Sequence, residues 1–593
     1  MNRRRALFTC FSLAGCFTAF STRLVHLQVT RHEHYLAKAR ANHEVRQIID
    51  ARRGNITDIH GEALARNEPV KTVILDATVV TDPEPLAELL AVSLGLRKAH
   101  VLERLTRETY SAPQRKNARS PYIILKTDVG ESVADELAAQ LARRKMRGVT
   151  LEQSANRIYP NGQMLCHVLG FVNREREGVD GIERTMDSFL RGHDGFRDIE
   201  RTRKGDEIVP YRGQEHDARH GSNVRLTIDM GLQNIVEQEL DAAIKQFRPK
   251  GATVVMMNPK TGEILALANR PNFNLNVQEG VKEAHRLNLA IEAQVEPGST
   301  FKTVTVAAIL NEKLVTPETD INCENGYWTW CKLKDHHAYP ELTVNDILVH
   351  SSNIGAAKLA MKLGDQKFFE YIHSFGFGER TGIALSGEIK GTIHPPHTWS
   401  KISITRMPMG HEVTATPLQI VAAMGAIANG GTLMLPQIVH EITDEHGAVV
   451  TSFPPCKVRR VVSQKTTDQV RSALMEVCSK KGTAKLAQVL GYKVAGKTGT
   501  SQKQEGGHYS HDKHVCSFVG FMPAEDPAFV MLVLLDEAQT KPEQDVGGLV
   551  AAPIFSRIAE RAARYLGLTP TYEEPEGGIV AKEGKTGGDF REQ

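Results

Sequence analysis

The sequence lacks most of the features that would send a chain towards a specialised class. It has no excess of one charge: 73 basic against 70 acidic residues leave a net charge of +3, so nothing in the bulk electrostatics argues for a nucleic-acid partner. It has no repeat of solenoid period. With 41% hydrophobic and 24% charged residues, it is neither a many-pass membrane protein nor a disordered one. Of its eight cysteines, two lie in an apolar N-terminal segment (Cys10, Cys16), and among the other six only Cys323 and Cys331 are near neighbours. A zinc site combining these cysteines with His336 and His337 fits no common ligand spacing. What remains is a chain of 593 residues, long enough for a large core and for more than one domain.

The compartment is written at the N-terminus. Arg3, Arg4 and Arg5 precede a segment without charged residues from Ala6 to Thr22, and apolar character resumes after Arg23 at Leu24, Val25 and Leu27. A bilayer core needs ~20 helical residues, so the segment spans if Arg23 snorkels to the far interface. The three arginines place the N-terminus in the cytoplasm. Leu13-Ala14-Gly15-Cys16 resembles a lipobox, and a cleaved signal peptide is a further alternative. Apolar residues continue past Cys16, and no small-x-small site followed by polar residues appears, which favours an uncleaved anchor. In each case the body of the chain is exported, where an oxidising compartment makes a local Cys323–Cys331 disulfide a reasonable expectation.

Beyond the anchor, residues 23 to about 50 are expected to form a helix leaving the membrane. The chain then mixes strands such as Thr72 to Leu75 with helices such as Pro85 to Leu94 and Glu131 to Met146, and carries no catalytic constellation up to about residue 220. Near 222 the texture changes. A strand over Asn223 to Ile228 leads into a helix capped by Asp229, then a hairpin of Ala252–Met257 and Glu263–Ala268. Strands return at Tyr492 to Gly496, Val515 to Phe521 and Ala528 to Leu535, with a last helix from Ala552 to about Leu566. Strands, then helices, then strands imply an α+β domain with a mostly antiparallel sheet. From Thr569 the composition is Pro, Gly and charge, and predicts a disordered tail.

The chemistry is carried by short patterns that also occur as decoys. S-x-x-K appears at Ser299/Lys302 and at Ser510/Lys513, S-x-N at Ser154/Asn156 and Ser351/Asn353, and K-T-G at Lys260, Lys497 and Lys585. Patterns this short match by chance on the order of once or twice per chain, so context has to select. Ser510 lies in a polar run after Gly506-Gly507, Lys585 in the Gly-rich tail, Lys260 in a hairpin turn, and Ser154 before the domain begins. Ser299 and Lys302 instead follow a Pro297-Gly298 turn and open an apolar helix, where three-residue spacing puts them on one face. A serine hydroxyl beside a buried amine is a means of activating a nucleophile. Ser351/Asn353 close the segment Val344–His350, and Lys497-Thr498-Gly499-Thr500 continues a strand. The three surviving motifs stand in the order S-x-x-K, S-x-N, K-T-G.

That order, with Glu296-Pro297-Gly298, Phe375-Gly376-Phe377-Gly378, Gly387-Glu388, Thr416-Pro417-Leu418-Gln419, Ala428-Asn429-Gly430-Gly431, Ser517-Phe518-Val519-Gly520 and Ala551-Ala552-Pro553, resembles a class B penicillin-binding protein over nearly the whole chain. Arg53-Gly54-x-Ile56-x-Asp58-x-x-Gly61, Arg157-x-Tyr159-Pro160-x-Gly162 and Gly181-Ile182-Glu183 resemble the pedestal motifs of that family, with Ile59 a departure from its usual Arg. The resemblance implies residues 1–5 as a cytoplasmic tail, 6–29 as a transmembrane anchor and juxtamembrane segment, and 30–221 as a pedestal or dimerisation domain. It places an α+β transpeptidase domain at 222–566 and a tail at 567–593.

The resemblance also implies a D,D-transpeptidase that needs no cofactor or metal and cross-links peptidoglycan stem peptides through an acyl-serine. Ser299 would be the nucleophile and Lys302 its base, with Lys497 lowering the proton affinity of Lys302 by like-charge repulsion. Ser351 would relay a proton to the leaving amine, and Asn353 would position the donor amide. Lys497, Thr498 and Thr500 would bind the terminal carboxylate, the backbone N–H groups of Ser299 and Thr500 would form the oxyanion hole, and Gly499 would let substrate lie along the strand edge. Glu296 before Pro297 tilts the reading towards the septal, cell-division type over the elongation type. Partners implied are stem peptides, β-lactam antibiotics as covalent inhibitors, the inner membrane through one helix, a lipid II polymerase and other division proteins. A serine β-lactamase, a β-lactam sensor and a catalytically silent scaffold are the competing readings.

Overall fold

The computed structural model describes residues 3–35, 44–106, 108–109, 118–119, 122–200, 214–506, 508–541 and 544–572. The expected tail therefore lies almost entirely outside the described residues, as does the K-T-G at Lys585.

The N-terminal helix α1 (Arg3–Val25) runs into a single π turn, His26–Thr30. Leu7–Thr30 is long and apolar enough to cross a membrane, and no residue of its apolar window is buried by protein, so Phe8, Phe11 and Phe20 all point outwards. The Thr18 and Thr22 hydroxyls donate to the carbonyls of Ala14 and Thr18, which hides them from an apolar surrounding. The expected helix to about residue 50 does not extend that far. Glu44–Ile49 is a strand, paired antiparallel with Gly195–Glu200. The ladder with residues about 150 positions away, rather than a local period, sets this strand.

Two compact bodies follow. The first comprises residues 1–54, 69–156 and 191–222, and the second residues 55–68, 157–190 and 223–593. In the first, Val70–Leu75 pairs with Ile123–Gly130, and helices Pro83–Leu94, Lys98–Thr106 and Glu131–Arg143 cover the ladder. Its core is small and aliphatic, with Val73, Leu86, Leu90, Val101 and Leu137 fully or nearly fully buried.

The second body is built on a five-stranded antiparallel sheet: β1 (Gly251–Met257), β2 (Ile264–Arg270), β3 (Ala495–Glu505), β4 (His508–Met522) and β5 (Phe529–Asp536), in the spatial order β2-β1-β5-β4-β3. Phe529 to Leu535 are all buried, as is every residue of β1, which marks central strands covered on both faces. Helix α2 (Met230–Phe247), whose Asp229 side chain caps the N–H groups of Gly231 and Leu232, packs with the C-terminal helix on this sheet. That last helix, α6 (Gly547–Tyr565), starts five residues earlier than the sequence suggests and carries Pro553 in its second turn, with Phe555 edge-on to Phe518 of β4 at 4.7 Å. A wholly buried helix, Pro417–Ala428, held by a capping box of Thr416 and Gln419, packs against β1, β4 and β5.

The segments before residue 190 that belong to this body are fixed by buried charge. Asp58 accepts from the N–H groups of His60 and Glu62 and from that of Met230. Arg157 meets Glu183 at 2.7 Å with both side chains almost fully excluded from water, and Tyr159 donates to the same carboxylate. These are the residues of the pedestal-like motifs, and their work here is to tie loops together.

Candidate active site

The nucleophile turn is set by backbone chemistry. Gly298 has φ +58°, and a Cβ there would lie 2.9 Å from the Thr500 carbonyl oxygen, so only glycine fits this close crossing. The Thr300 hydroxyl donates to the Pro297 carbonyl and closes the turn. Gly298–Phe301 is a 3-10 turn, and the α-helix α3 (Lys302–Asn311) begins only at Lys302. The structure thus replaces the expected α-helical spacing of Ser299 and Lys302 with a 3-10 one. The change brings them into closer alignment, because residues three apart eclipse in a 3-10 turn. Phe301 anchors the turn between Phe368 and Phe377, with ring centroids 6.3 and 5.0 Å away. All of α3 to Leu310 is buried, Lys302 included at 0% exposure, while Ser299 is half-buried.

The second motif lies between two helices, α4 (Val344–Val349) and α5 (Asn353–Leu363). Ser351 takes a left-handed conformation, φ +59°, a strained choice for a serine that breaks the chain direction between them. Ser352 caps α5 by accepting from the Gly355 N–H at 2.9 Å. The third motif lies on β3, whose only sheet neighbour among the described residues is β4, so β3 lies at the edge of the sheet as described. Lys497 pairs in register with Val519 and Gly499 with Ser517.

The three motifs converge on two lysines. Lys302 Nζ lies 2.5 Å from the Ser351 carbonyl oxygen, 2.7 Å from Asn353 Oδ1 and 3.1 Å from Ser351 Oγ. Lys497 Nζ reaches the same Ser351 Oγ at 3.0 Å and is itself fully buried. Burial above all, and then the neighbouring Lys497 charge, holds Lys302 well below the usual lysine range. Burial likewise lowers Lys497 to about 7. A neutral Lys302 has two N–H bonds, which the two carbonyl-type acceptors use, leaving its lone pair for a hydroxyl proton.

Thr498 and Thr500 flank Gly499 on β3. The Thr500 hydroxyl accepts from the Gly547 N–H at the start of α6, and Thr498 meets Thr483 at 3.2 Å. Gly499 has a packing role besides the one its sequence context suggests. A Cβ there would lie 2.4 Å from Ser517 Oγ, 3.0 Å from the Pro297 carbonyl oxygen and 3.0 Å from the Thr300 methyl, so the glycine lets the strand close on the nucleophile turn.

The decoys are placed elsewhere. Lys260 is half exposed and pairs with Asp526 across a surface turn. Ser510 and Lys513 lie on strand β4, where residues three apart face opposite sides. Cys323 and Cys331 are both buried free thiols, which corrects the expected disulfide; the Cys323 thiol instead donates to the Ile321 carbonyl at 3.4 Å. Among the described residues no group of three or more His, Cys, Asp or Glu side chains could hold a metal ion.

Three polar neighbours lie outside the S-x-x-K, S-x-N and K-T-G patterns. Burial pushes Glu296 up to about 6; its Oε1 accepts from Tyr509 at 3.0 Å, while its buried Oε2 has no partner among the described residues. His411, whose ring is edge-on to Tyr509 at 5.4 Å, is driven down to about 4 by burial and by Lys302. Asp335 binds the start of α5. Only Glu296 had a signal in the sequence, its place beside Pro297.

Comparison with known proteins shows the family of the chain. The penicillin-binding protein transpeptidase domain matches residues 252–560, and the penicillin-binding protein dimerisation domain matches residues 48–226. The chain is 33% identical to Stage V sporulation protein D of Bacillus subtilis over 576 residues, covering 96% of this chain and 86% of that one. It is 29% identical to the peptidoglycan D,D-transpeptidase FtsI of Escherichia coli over 526 residues, 88% of this chain and 85% of that one. The solved structure of penicillin-binding protein 2X from Streptococcus thermophilus superposes with a TM-score of 0.73 at 25% identity, covering 88% of this chain and 80% of that one.

Proposed function

The chain belongs to the class B penicillin-binding proteins, peptidoglycan D,D-transpeptidases, and from that premise we propose that Ser299 is the nucleophile and Lys302 the base that activates it. Ser299 attacks the D-Ala-D-Ala carbonyl, D-alanine leaves, and the donor peptide is held as an ester until an acceptor amine displaces it. Lys302 takes the Ser299 proton. Ser351, within reach of both lysines, passes a proton to the leaving amine. Asn353 aligns the donor amide, and Lys497 with Thr498 and Thr500 receives the terminal carboxylate. Backbone N–H groups of Ser299 and Thr500 face the developing oxyanion, a contribution of ~3 kcal/mol per donor. The edge of β3 left unpaired among the described residues supplies the ladder along which an extended stem peptide adds as a strand, with Gly499 keeping β3 close to the Ser299 turn.

The observation that carries this reading is the shared hydroxyl: Ser351 Oγ lies 3.1 Å from Lys302 Nζ and 3.0 Å from Lys497 Nζ, joining all three motifs through two buried amines. Covalent labelling with a fluorescent penicillin tests it. Wild-type protein is expected to keep the label and Ser299→Ala to take none. Rapid loss of label would make the protein a β-lactamase, and labelling of Ser299→Ala would remove Ser299 from the mechanism.

The proposal extends to place and partners. The N-terminal helix crosses the inner membrane once, with the catalytic body on the outer, periplasmic face, beside a lipid II polymerase and other division proteins. Glu296 before Pro297, together with the likeness to FtsI, supports a septal role; a fluorescent fusion confined to the sidewall would instead assign it to elongation.

A further inference from the structure

Asp335 belongs to none of the three motifs, yet it touches the second one at Ser352 and Asn353 and the residue after it, Ile354. It ends a short hairpin, Tyr327–Trp328 paired with Leu333–Lys334, and its own N–H donates to the Gly326 carbonyl at 3.0 Å. Its side chain is buried, 6% exposed, with both oxygens in use. Oδ2 accepts from the Ser352 hydroxyl at 2.6 Å, while Oδ1 accepts from the N–H groups of Asn353 at 2.5 Å and Ile354 at 3.0 Å. These are the first N–H groups of α5, which have no partner within the helix, and a carboxylate is the side chain best suited to them.

The neighbour of Asp335 completes the arrangement. The Lys334 carbonyl accepts from Asn353 Nδ2 at 2.9 Å, which turns Asn353 Oδ1 towards Lys302 Nζ at 2.7 Å. Residues 334 and 335 therefore fix the backbone and the side-chain orientation of Asn353, and Asn353 in turn fixes one of the two N–H bonds of Lys302. The Ser352 hydroxyl, directed at Asp335, also accepts from the Gly355 N–H, so the turn that holds Ser351 in its left-handed conformation is bound at both ends.

We propose that Asp335 is a positioning residue for acyl transfer: it clamps the Ser351–Asn353 turn in register with Lys302 and places a negative charge beside that lysine. The proposal rests on Lys302 acting as the base for Ser299. The groups facing Lys302 are Lys497 from β3, His336 and Asp335 from the loop after the hairpin, and His411 from the loop after Pro408. Of these, Asp335 acts against the others: Lys497 favours loss of the Lys302 proton, and the Asp335 carboxylate opposes it. Removing the charge should therefore have two effects of unlike kind. The turn loosens and acylation slows, while Lys302 gives up its proton more easily and stays competent at lower pH.

The test is the rate of acylation by a fluorescent penicillin, measured as a function of pH on the full chain in detergent for wild type, Asp335→Asn, Asp335→Glu and Ser299→Ala. For Asp335→Asn the plateau rate should fall at least several-fold, and the acid limb should move to lower pH by ~1 unit. Asp335→Glu keeps the charge in a side chain too long for the turn, so its plateau should fall while its acid limb stays at the wild-type position. A slower Asp335→Asn with an unmoved or raised acid limb would reduce Asp335 to a structural cap, and an unchanged plateau in either variant would overturn the proposal. If Asp335→Asn does not fold, Asp335→Glu alone decides by its plateau. Labelling of Ser299→Ala would defeat the nucleophile assignment instead; loss of that labelling with wild-type behaviour of both Asp335 variants would defeat only the present one.

Discussion

Lys260-Thr261-Gly262 and Lys497-Thr498-Gly499 are the same three residues in two surroundings. The first occupies the turn between β1 and β2, where the lysine is half exposed and paired with Asp526, itself 82% exposed. The second lies on an edge strand, where the lysine is fully buried and lowered to about 7 by that burial. The tripeptide carries no chemistry of its own. Removal from water, with a second buried amine sharing one hydroxyl, makes Lys497 different from an ordinary surface lysine.

The largest expected effects separate the two lysines directly. Lys302→Ala should slow acylation by ~10²–10⁴-fold, the range for a lost general base. Lys497→Ala should cost about 10- to 100-fold, as for a lost charge-assisted hydrogen bond to a carboxylate. Lys260→Ala should change the rate less than about twofold, since exposed ion pairs contribute little. A comparable loss in Lys260→Ala, read by the same penicillin labelling, would show that the two lysines do not differ as their burial implies.

A second contrast concerns stability. Glu183→Ala leaves the buried Arg157 without its carboxylate and should destabilise the fold by ~3–5 kcal/mol in a denaturant titration. Asp526→Ala, which does the same to exposed Lys260, should leave the midpoint where it is.

The charge state of Lys497 predicts a pH dependence. Below about 7 its ammonium is present in the free enzyme and can receive the substrate carboxylate; above that value the charge is lost. The second-order acylation rate should therefore decline as pH rises through about 7, and a rate that stays level well into the alkaline range would contradict the assignment. The smallest effect belongs to Glu296, raised by burial from 4.5 to about 6. A raised carboxyl binds its proton more tightly in the folded state, so its contribution favours folding at low pH and is lost as pH climbs from 4.5 towards 6. Glu296→Gln should stabilise relative to wild type only above that window, by no more than about 1 kcal/mol once partial exposure is allowed for. Thermal melts at acid and neutral pH would show it.

Much of this was legible from residue pattern alone. Period and capping gave helix α2 with its Asp229 cap, the hairpin of β1 and β2, and the apolar strand β5, because each is specified by local chemistry. The motif order gave the three groups that meet in space. What local pattern could not give was the 3-10 geometry at Ser299, which depends on Gly298 crossing Thr500, about 200 residues away in the chain. Nor could it give Asp335, since a Lys-Asp-His-His loop has no periodicity and the carboxylate acquires its role only against α5. The same holds for Gly499, whose small size serves the contact with Pro297 and Ser517. The strand over Glu44–Ile49 is not legible locally, because its charged residues and flanking alanines read as helix while its pairing with Gly195–Glu200 is non-local.

The most direct measurement is to map the penicillin adduct. Trypsin should release the segment Leu287–Lys302, and mass spectrometry of the labelled full chain should find the acyl group there, on Ser299, with none on peptides containing Ser510 or Ser154. An adduct on either of those serines, or on a Ser299→Ala variant, would contradict the claim that convergence with two buried lysines selects Ser299 over the serines of the decoy motifs.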